Sequence, residues 1–267
     1  MTIASRIDRS RLDELVVARG LADTRSRARA LILAGDISVN GQVVHRAGAM
    51  VRAGDELGRT EKARFASRGG EKLAHALQVF GIDVTGQVAA DLGASTGGFT
   101  DCLLQAGAER VYAVDVGYGQ ILDRLRRDPR VVVMDRTNAR SVLELPEPID
   151  IVTIDVSFIS LRLVLPAAVR VLTSGGAVVP LIKPQFEAGP KDVKKGGVVR
   201  DPAVHTRVLE EVLTGAEELG FAVHGVTASP LKGPAGNREF LAYLQTAGES
   251  RPLAGLIADA VAEAHAQ

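Results

Sequence analysis

The sequence predicts an α/β fold in which a small α+β domain precedes a parallel sheet covered by helices on both faces. Three observations predict it. The run Val88-Ala89-Ala90 leads through the glycine-rich phrase Asp91-Leu92-Gly93-Ala94-Ser95-Thr96-Gly97-Gly98 into the helical pattern Cys102-Leu103-Leu104, a strand, turn and helix in succession. Beyond it, short apolar runs alternate with amphipathic stretches, as in a sheet built from crossover units. Before it, two helical stretches are followed by Asn40-Gly41 between β-prone runs, a strong hairpin signal.

The N-terminal segment begins with Ser10 and, three residues on, Asp13, a capping-box pattern opening a helix with Leu12, Leu15 and Val16 as its apolar stripe. Gly20 stops it. A second helix starts near Asp23 or Thr24, turns Ala28, Leu31 and Ile32 inward, carries Arg25 and Arg29 one turn apart on another face, and ends at Gly35. The hairpin 37–44 follows, and Val51 to Leu57, turning at Gly54-Asp55, supplies further short strands. Glu61 to Ala66 reads as a linker, and Ser67-Arg68-Gly69-Gly70-Glu71-Lys72-Leu73 opens a helix with Leu73, Leu77 and Phe80 on one face. After the glycine turn, strands are expected at 110–115, 131–134, 149–154, 176–182, 222–227 and 239–245. Helices are expected near 99–106, 120–127, 161–172 and 203–219. The alanine-rich stretch from Leu253 to Ala266 is a further helix candidate.

Composition bounds the function. The chain has 267 residues, 46% of them hydrophobic and 24% charged, enough for one large domain and a small one. The uncharged run Val171 to Ile182 is 12 residues, well short of the ~20 a spanning helix needs. The N-terminus has no apolar signal core, and the single cysteine, Cys102, rules out an intrachain disulfide and suits a reducing cytosol, so a cytoplasmic protein is expected. The five histidines show no metal-ligand spacing. Net charge is zero, yet residues 1–72 hold 14 Lys and Arg against 9 Asp and Glu, and the rest hold 18 against 23. That asymmetry points to a polyanionic partner met through the N-terminal part.

The glycine turn carries the chemistry. Glycines 93, 97 and 98 let backbone approach a ligand closely, and Asp115, 22 residues past Gly93 at the end of the next strand, suits a ribose. A dinucleotide fingerprint would have glycine where Ser95 stands, and no P-loop lysine follows. Asp91 at the head of the turn repels phosphate and suits an ammonium. S-adenosylmethionine (SAM) fits, its amino-acid end near Asp91 and its ribose at Asp115. Gly93, Ser95, Gly97 and Gly98 would line the turn, and Asp135, with Asn138 nearby, would meet the adenine edge. Ligands in such sheets bind at the carboxyl ends of strands, which singles out Asp155 after 149–154 and Lys183 after 177–182. Glu239 begins a late strand and Lys72 starts the helix before the glycine turn. Two lysines and two carboxylates around one crevice would form a coupled set.

These residues carry a resemblance. Ser26-Arg27-Ala28-Arg29-Ala30-Leu31-Ile32 with Gly35-Asp36-Ile37-Ser38-Val39-Asn40-Gly41 resembles the S-four-type RNA-binding domain. Lys72, Asp155, Lys183 and Glu239 occupy the places of the K-D-K-E tetrad of ribose 2′-O-methyltransferases. From about residue 10 to 245 the chain resembles the TlyA family of bacterial rRNA 2′-O-methyltransferases, some named haemolysins. The phrases Asp115-Val116-Gly117-Tyr118-Gly119-Gln120, Asp155-Val156-Ser157-Phe158-Ile159-Ser160, Lys183-Pro184-Gln185-Phe186-Glu187 and Gly233-Pro234-Ala235-Gly236-Asn237 carry the match. It departs in the linker, where some members have tryptophan and valine and this chain has Phe65 and Ala66.

The resemblance implies an S-four-type domain over 1–60, a linker over 61–66, and an FtsJ-like, Rossmann-like class I SAM-dependent methyltransferase domain over 67–247. A tail, 248–267, follows. It also implies methylation of cytidine ribose in 16S and/or 23S rRNA, ribosomal RNA or subunits as partner, Lys183 at the reacting hydroxyl oriented by Asp155, and no metal or membrane. Arg25, Arg29 and Arg68 are the candidate RNA contacts. With 4% aromatic residues, phosphate contacts and RNA shape are expected to dominate over base stacking. An NAD-dependent oxidoreductase, a pseudouridine synthase with the same N-terminal module, and a non-enzymatic RNA-binding or membrane-lytic protein are the competing readings.

Overall fold

The computed structural model describes residues 9–33, 35–59, 64–141, 144–193 and 196–266. Lys194 and Lys195, read with Lys191 as a basic loop, and linker residues 61–63 lie outside them. The chain divides into two compact units, Met1–Ala63 and Arg64–Gln267.

In the first unit, β1 (Arg9–Arg11) leads into α1 (Leu12–Ala18) and α2 (Arg25–Leu33), followed by β2 (Ile37–Val39), β3 (Gln42–Val43), β4 (Met50–Arg52) and β5 (Leu57–Arg59). Leu12, Val16, Ala28, Leu31, Ile32, Ile37 and Val51 form its core. Thr24 caps α2, its hydroxyl accepting from Arg27 N at 3.2 Å. Asn40 and Gly41 both take positive φ (51° and 78°), as a tight hairpin turn requires. One expectation fails. Ser10 lies in β1, and Asp13 is no capping-box partner. Its fully buried carboxylate accepts from Arg11, Arg25 and Arg29, each Nε 3.0 Å away. Buried negative charge demands such partners, and the three guanidinium groups hold the Asp13 carboxyl well below the usual carboxylate range. As expected, Arg25 and Arg29 stay exposed, apart from the buried Ala28, Leu31 and Ile32, yet both reach Asp13. They fasten α2 to α1.

The second unit runs α3 (Gly69–Phe80), β6 (Val88–Leu92), α4 (Gly98–Gln105), β7 (Arg110–Val114), α5 (Asp123–Arg126), β8 (Val131–Met134), β9 (Ile149–Ile154), α6 (Leu165–Val171), β10 (Leu172–Ile182), α7 (Pro184–Glu187), α8 (Pro202–Glu218), β11 (Ala222–Ala228), β12 (Phe240–Gln245) and α9 (Leu253–Ala266). Seven strands form one sheet in the order β11-β12-β10-β9-β6-β7-β8. Successive strand residues face opposite sides. Ala90, Leu92, Val152, Ile154, Val178 and Ile182 meet α6, α8 and α9, while Ala89, Val111, Ile151, Val179 and Leu241 meet α3 and α4. The sheet is not wholly parallel as expected, because β12 runs antiparallel to both neighbours. The segment from Ser229 to Glu239 is too short for the helical crossover that a parallel pair needs. The order reverses between β6 and β9, since β7 and β8 extend to one side and β10 to the other. A crevice opens at such a switch point.

Candidate active site

The glycine turn packs directly on the end of β9. A Cβ on Gly93 (φ +93°) would sit 2.6 Å from the Asp155 carbonyl oxygen, so only glycine allows this approach. Ser95 also takes positive φ, 47°, and its N–H donates to Asp115 Oδ2 at 2.8 Å. Asp115 Oδ1 accepts from Gly117 N at 2.7 Å. With both oxygens anchored by backbone donors, the carboxylate is fixed and still has lone pairs for further hydroxyls.

Asp115 lines a cavity of about 510 Å³ together with Gly93, Ser95, Asn138 and Asp155. Val114, Val116, Ala139, Ile159 and Val164 supply apolar walls. The lining has two carboxylates and no lysine or arginine. Two carboxylates without a cation in the lining favour a neutral or cationic ligand over an anionic one.

Three cofactor expectations are corrected. Asp91 lines no cavity. It is completely buried, accepting from Thr100 N (2.9 Å), Thr100 Oγ1 (2.7 Å) and Thr153 Oγ1 (3.1 Å), so it satisfies an otherwise unpaired N–H in the first turn of α4. Burial, reinforced by the Asp155 charge and opposed by those hydrogen bonds, pushes its carboxyl up to about 7. Gly97 (φ +96°) faces Ile121 and Leu125 and lines neither cavity, shaping the turn rather than touching a ligand. Asp135 is turned to Arg126 at 3.0 Å, and only its neighbour Asn138 reaches the cavity. Cys102 is buried, and its thiol is pushed up to about 12 by desolvation, which makes it an inert packing residue.

A second cavity, about 530 Å³, adjoins the first and shares Gly93, Ser95, Asp155 and Ser157 with it. Lys72, Asp155, Lys183 and Glu239 all line it, with Arg68 and Gly98. Lys72 Nζ pairs with Glu239 Oε2, both nearly buried. A Cβ on Gly233 would lie 2.5 Å from Glu239 Oε1, so a larger residue there would push on the glutamate's carboxylate. Lys183 Nζ lies 2.6 Å from Asp155 Oδ1 and donates to Val156 O at 2.9 Å and Ser157 Oγ at 3.0 Å. Asp155 and Lys183 are the first residues beyond β9 and β10, and Glu239 immediately precedes the reversed β12. All three therefore meet at one rim.

Ser67, Gln120, Thr137, Ser157, Phe158 and Pro234 also line these cavities and were not singled out from the sequence. Most lie inside the quoted phrases, which was the available signal. Phe158, 91% exposed at φ +62°, leans against Phe186 with ring centroids 4.9 Å apart. Among the described residues no group of three or more His, Cys, Asp or Glu could hold a metal ion, and no helix is long and apolar enough to cross a membrane.

Comparison with known proteins matches residues 65–246 to the FtsJ-like methyltransferase family and residues 10–57 to the S4 domain. The Mycobacterium tuberculosis 16S/23S rRNA (cytidine-2′-O)-methyltransferase TlyA is 46% identical over 260 residues, covering 95% of this chain and 96% of that protein. A hemolysin-named protein from Streptococcus thermophilus superposes with a TM-score of 0.76 at 42% identity, over 98% of this chain and 97% of that one. A SAM-dependent methyltransferase structure from Listeria monocytogenes, 14% identical with a TM-score of 0.51 over 68% of this chain and all of that one, shares the fold alone. A family match across both units, on a sheet of this order, leaves one assignment: the chain belongs to the TlyA family of FtsJ-like methyltransferases.

Proposed function

We propose that this chain transfers the methyl group of SAM to the 2′-hydroxyl of a cytidine ribose in 16S and/or 23S rRNA. The observation that carries the reading is the meeting of two lysine–carboxylate pairs, Lys72–Glu239 and Lys183–Asp155, at one rim. They stand beside a nucleoside-sized cavity that has carboxylates and no cations in its lining. The nucleotide and position class come from the name of the M. tuberculosis relative, and an RNA partner is supported by the S4 match.

In this reading Asp115 takes the ribose hydroxyls of SAM, the apolar walls and Asn138 take the adenine, and Asp155 borders the reacting end. When bound, SAM supplies an electrophilic methyl on a sulfonium. The chain's own residues must aim a poor nucleophile at it. Lys183, fixed by Asp155 and the Val156 carbonyl, points an N–H at the acceptor oxygen and steadies the negative charge that develops there, while the hydroxyl's proton leaves to the adjoining Asp155 carboxylate or to water as the O–C bond forms and the S–C bond breaks. The nearly buried Lys72–Glu239 pair forms the opposite wall and keeps water from the line of attack. Arg68, exposed at the mouth of the crevice, is placed for a phosphate of the target strand.

Methyl transfer from tritiated SAM to ribosomal subunits from cells lacking this chain, followed by ribose-methylation mapping, tests the proposal. Lys183→Ala should lower transfer by roughly 10²–10³-fold, the scale for losing one preorganised donor, while SAM binding by calorimetry is retained. Undiminished turnover in Lys183→Ala would overturn its role.

A further inference from the structure

Lys183 is held by the segment that follows β9. Its Nζ donates to the Val156 carbonyl at 2.9 Å and to Ser157 Oγ at 3.0 Å, and pairs by charge with Asp155. The ammonium is therefore aimed only as well as its own backbone is placed against that segment. The backbone belongs to α7, which Lys183 precedes and Glu187 ends. Pro184 opens the helix with its φ locked by the ring. Lys183 O accepts from Phe186 N, and Pro184 O from Ala188 N, each at 2.9 Å. This makes α7 a single stiff turn, so a shift at its far end is felt at Lys183.

Glu187 fastens that far end. Its Oε2 accepts from Ser160 Oγ at 2.6 Å and its Oε1 from Leu161 N at 2.8 Å. Both partners lie just beyond Ser157, on the same segment that seats Lys183. Ser160 Oγ in turn accepts from Arg162 N at 3.2 Å. Carboxylate and hydroxyl together satisfy two N–H groups at the start of the helical turn Leu161–Leu163, whose first residue is buried in the core. Between the two attachments, Phe186 leans on Phe158. Holding a carboxylate there costs free energy. Burial pushes Glu187 above its ordinary value, opposed by the hydrogen bonds from Ser160 and Leu161.

We propose that Glu187 is a positioning residue for methyl transfer: by clasping Ser160 and Leu161 it sets α7 against the segment after β9 and so aims the Lys183 ammonium. The inference rests on the proposed role of Lys183 and deepens it. It separates two tasks within one short phrase, Lys183 meeting the acceptor oxygen and Glu187 keeping it on line.

A double-mutant cycle tests it, with initial rates of the full chain on unmodified ribosomal subunits at saturating tritiated SAM. Glu187→Ala should lower kcat about 10- to 100-fold, the scale of misplacing a reacting group by about an ångström. Glu187→Gln keeps an acceptor for Leu161 N and offers an amide donor to Ser160 Oγ, and should return kcat to within about threefold of wild type. In a Lys183→Ala background, adding Glu187→Ala should cost less than about twofold, because a residue acting through Lys183 has nothing left to aim. SAM binding by calorimetry checks that each variant is folded. If Glu187→Ala is not, Ser160→Ala carries the same cycle, with kcat about 3- to 10-fold lower, the scale of one hydrogen bond. Equal losses with and without Lys183 would make Glu187 a general support of the fold and overturn the inference. A kcat for Glu187→Ala within about twofold of wild type would overturn it too. Both outcomes leave the parent reading standing, whereas a wild-type chain that methylates neither subunit would sink that reading and this inference with it.

Discussion

Asp91 shows how much one step along a strand decides. It is the penultimate residue of β6, in register with Thr153 and Ala113, so alternation sends its side chain into the layer beneath α4. Asp115, Asp155 and Lys183 each lie one residue past a strand, and their side chains reach the rim. Acidic residues at strand ends were therefore legible in the sequence, but which of them faces a ligand was not, because a boundary uncertain by one residue reverses the answer. The burial of Asp91 has a measurable consequence. Its folded value, about 7, lies above its ordinary 3.8, so its contribution to stability is fully present below about pH 4 and is lost as pH rises through about 7. Asp91→Asn keeps an acceptor for the Thr100 N–H without the titration. Thermal unfolding at pH 6 and pH 8 should show wild type losing more Tm over that interval than the variant.

At the scale of elements, α9 changes the picture most. Its sequence shows only an alanine-rich amphipathic stretch, with nothing to say what it covers. In the structure Leu256, Ile257, Ala260, Val261 and Ala264 join the core against β11 and α8. Its last turn holds the residues around Glu239: Ala264 O accepts from Arg238 Nε at 2.6 Å, and Glu263 accepts from Ala228 N at 2.9 Å. His265 meets the buried His205 at 3.0 Å. The docking surface is assembled from segments distant in sequence, α8 and β11, which is why periodicity alone could not find it. Ile257→Ala should cost about 2–5 kcal/mol, the usual range for truncating a fully buried isoleucine, read as a lower urea midpoint. Desolvation holds both imidazoles below their ordinary value. Their contribution is present above about pH 6.5 and lost as pH falls below it, so α9 should loosen on the acid side, visible as faster amide exchange in residues 253–266.

Over the whole molecule, basic charge concentrates at the N-terminal end. Residues 1–72 carry the basic excess of 14 against 9, and three of those arginines are engaged by Asp13. The asymmetry was visible in the sequence. The internal use of Arg11, Arg25 and Arg29 was not, because only the packing of α1 on α2 buries the carboxylate they surround. A fragment of residues 64–267 should bind SAM like the full chain, since the nucleoside cavity is lined wholly by that unit. It should bind rRNA at least about tenfold more weakly and with a shallower salt dependence, because fewer phosphates are neutralised. Filter binding at two salt concentrations measures both.

The reversed final strand has one more consequence. Because β12 enters the sheet at the rim where its neighbours leave, Glu239 is gripped from both sides, by the ladder ahead and by the turn at Gly233 behind, where Gly233 N donates to Asn237 O at 2.9 Å. Residues 230–232 lie upstream of that grip and border a surface hollow beside Arg68. Evolution or an engineer can thus remodel the hollow beside Arg68, by lengthening or recharging that short connection, while the carboxylate facing Lys72 stays where it is.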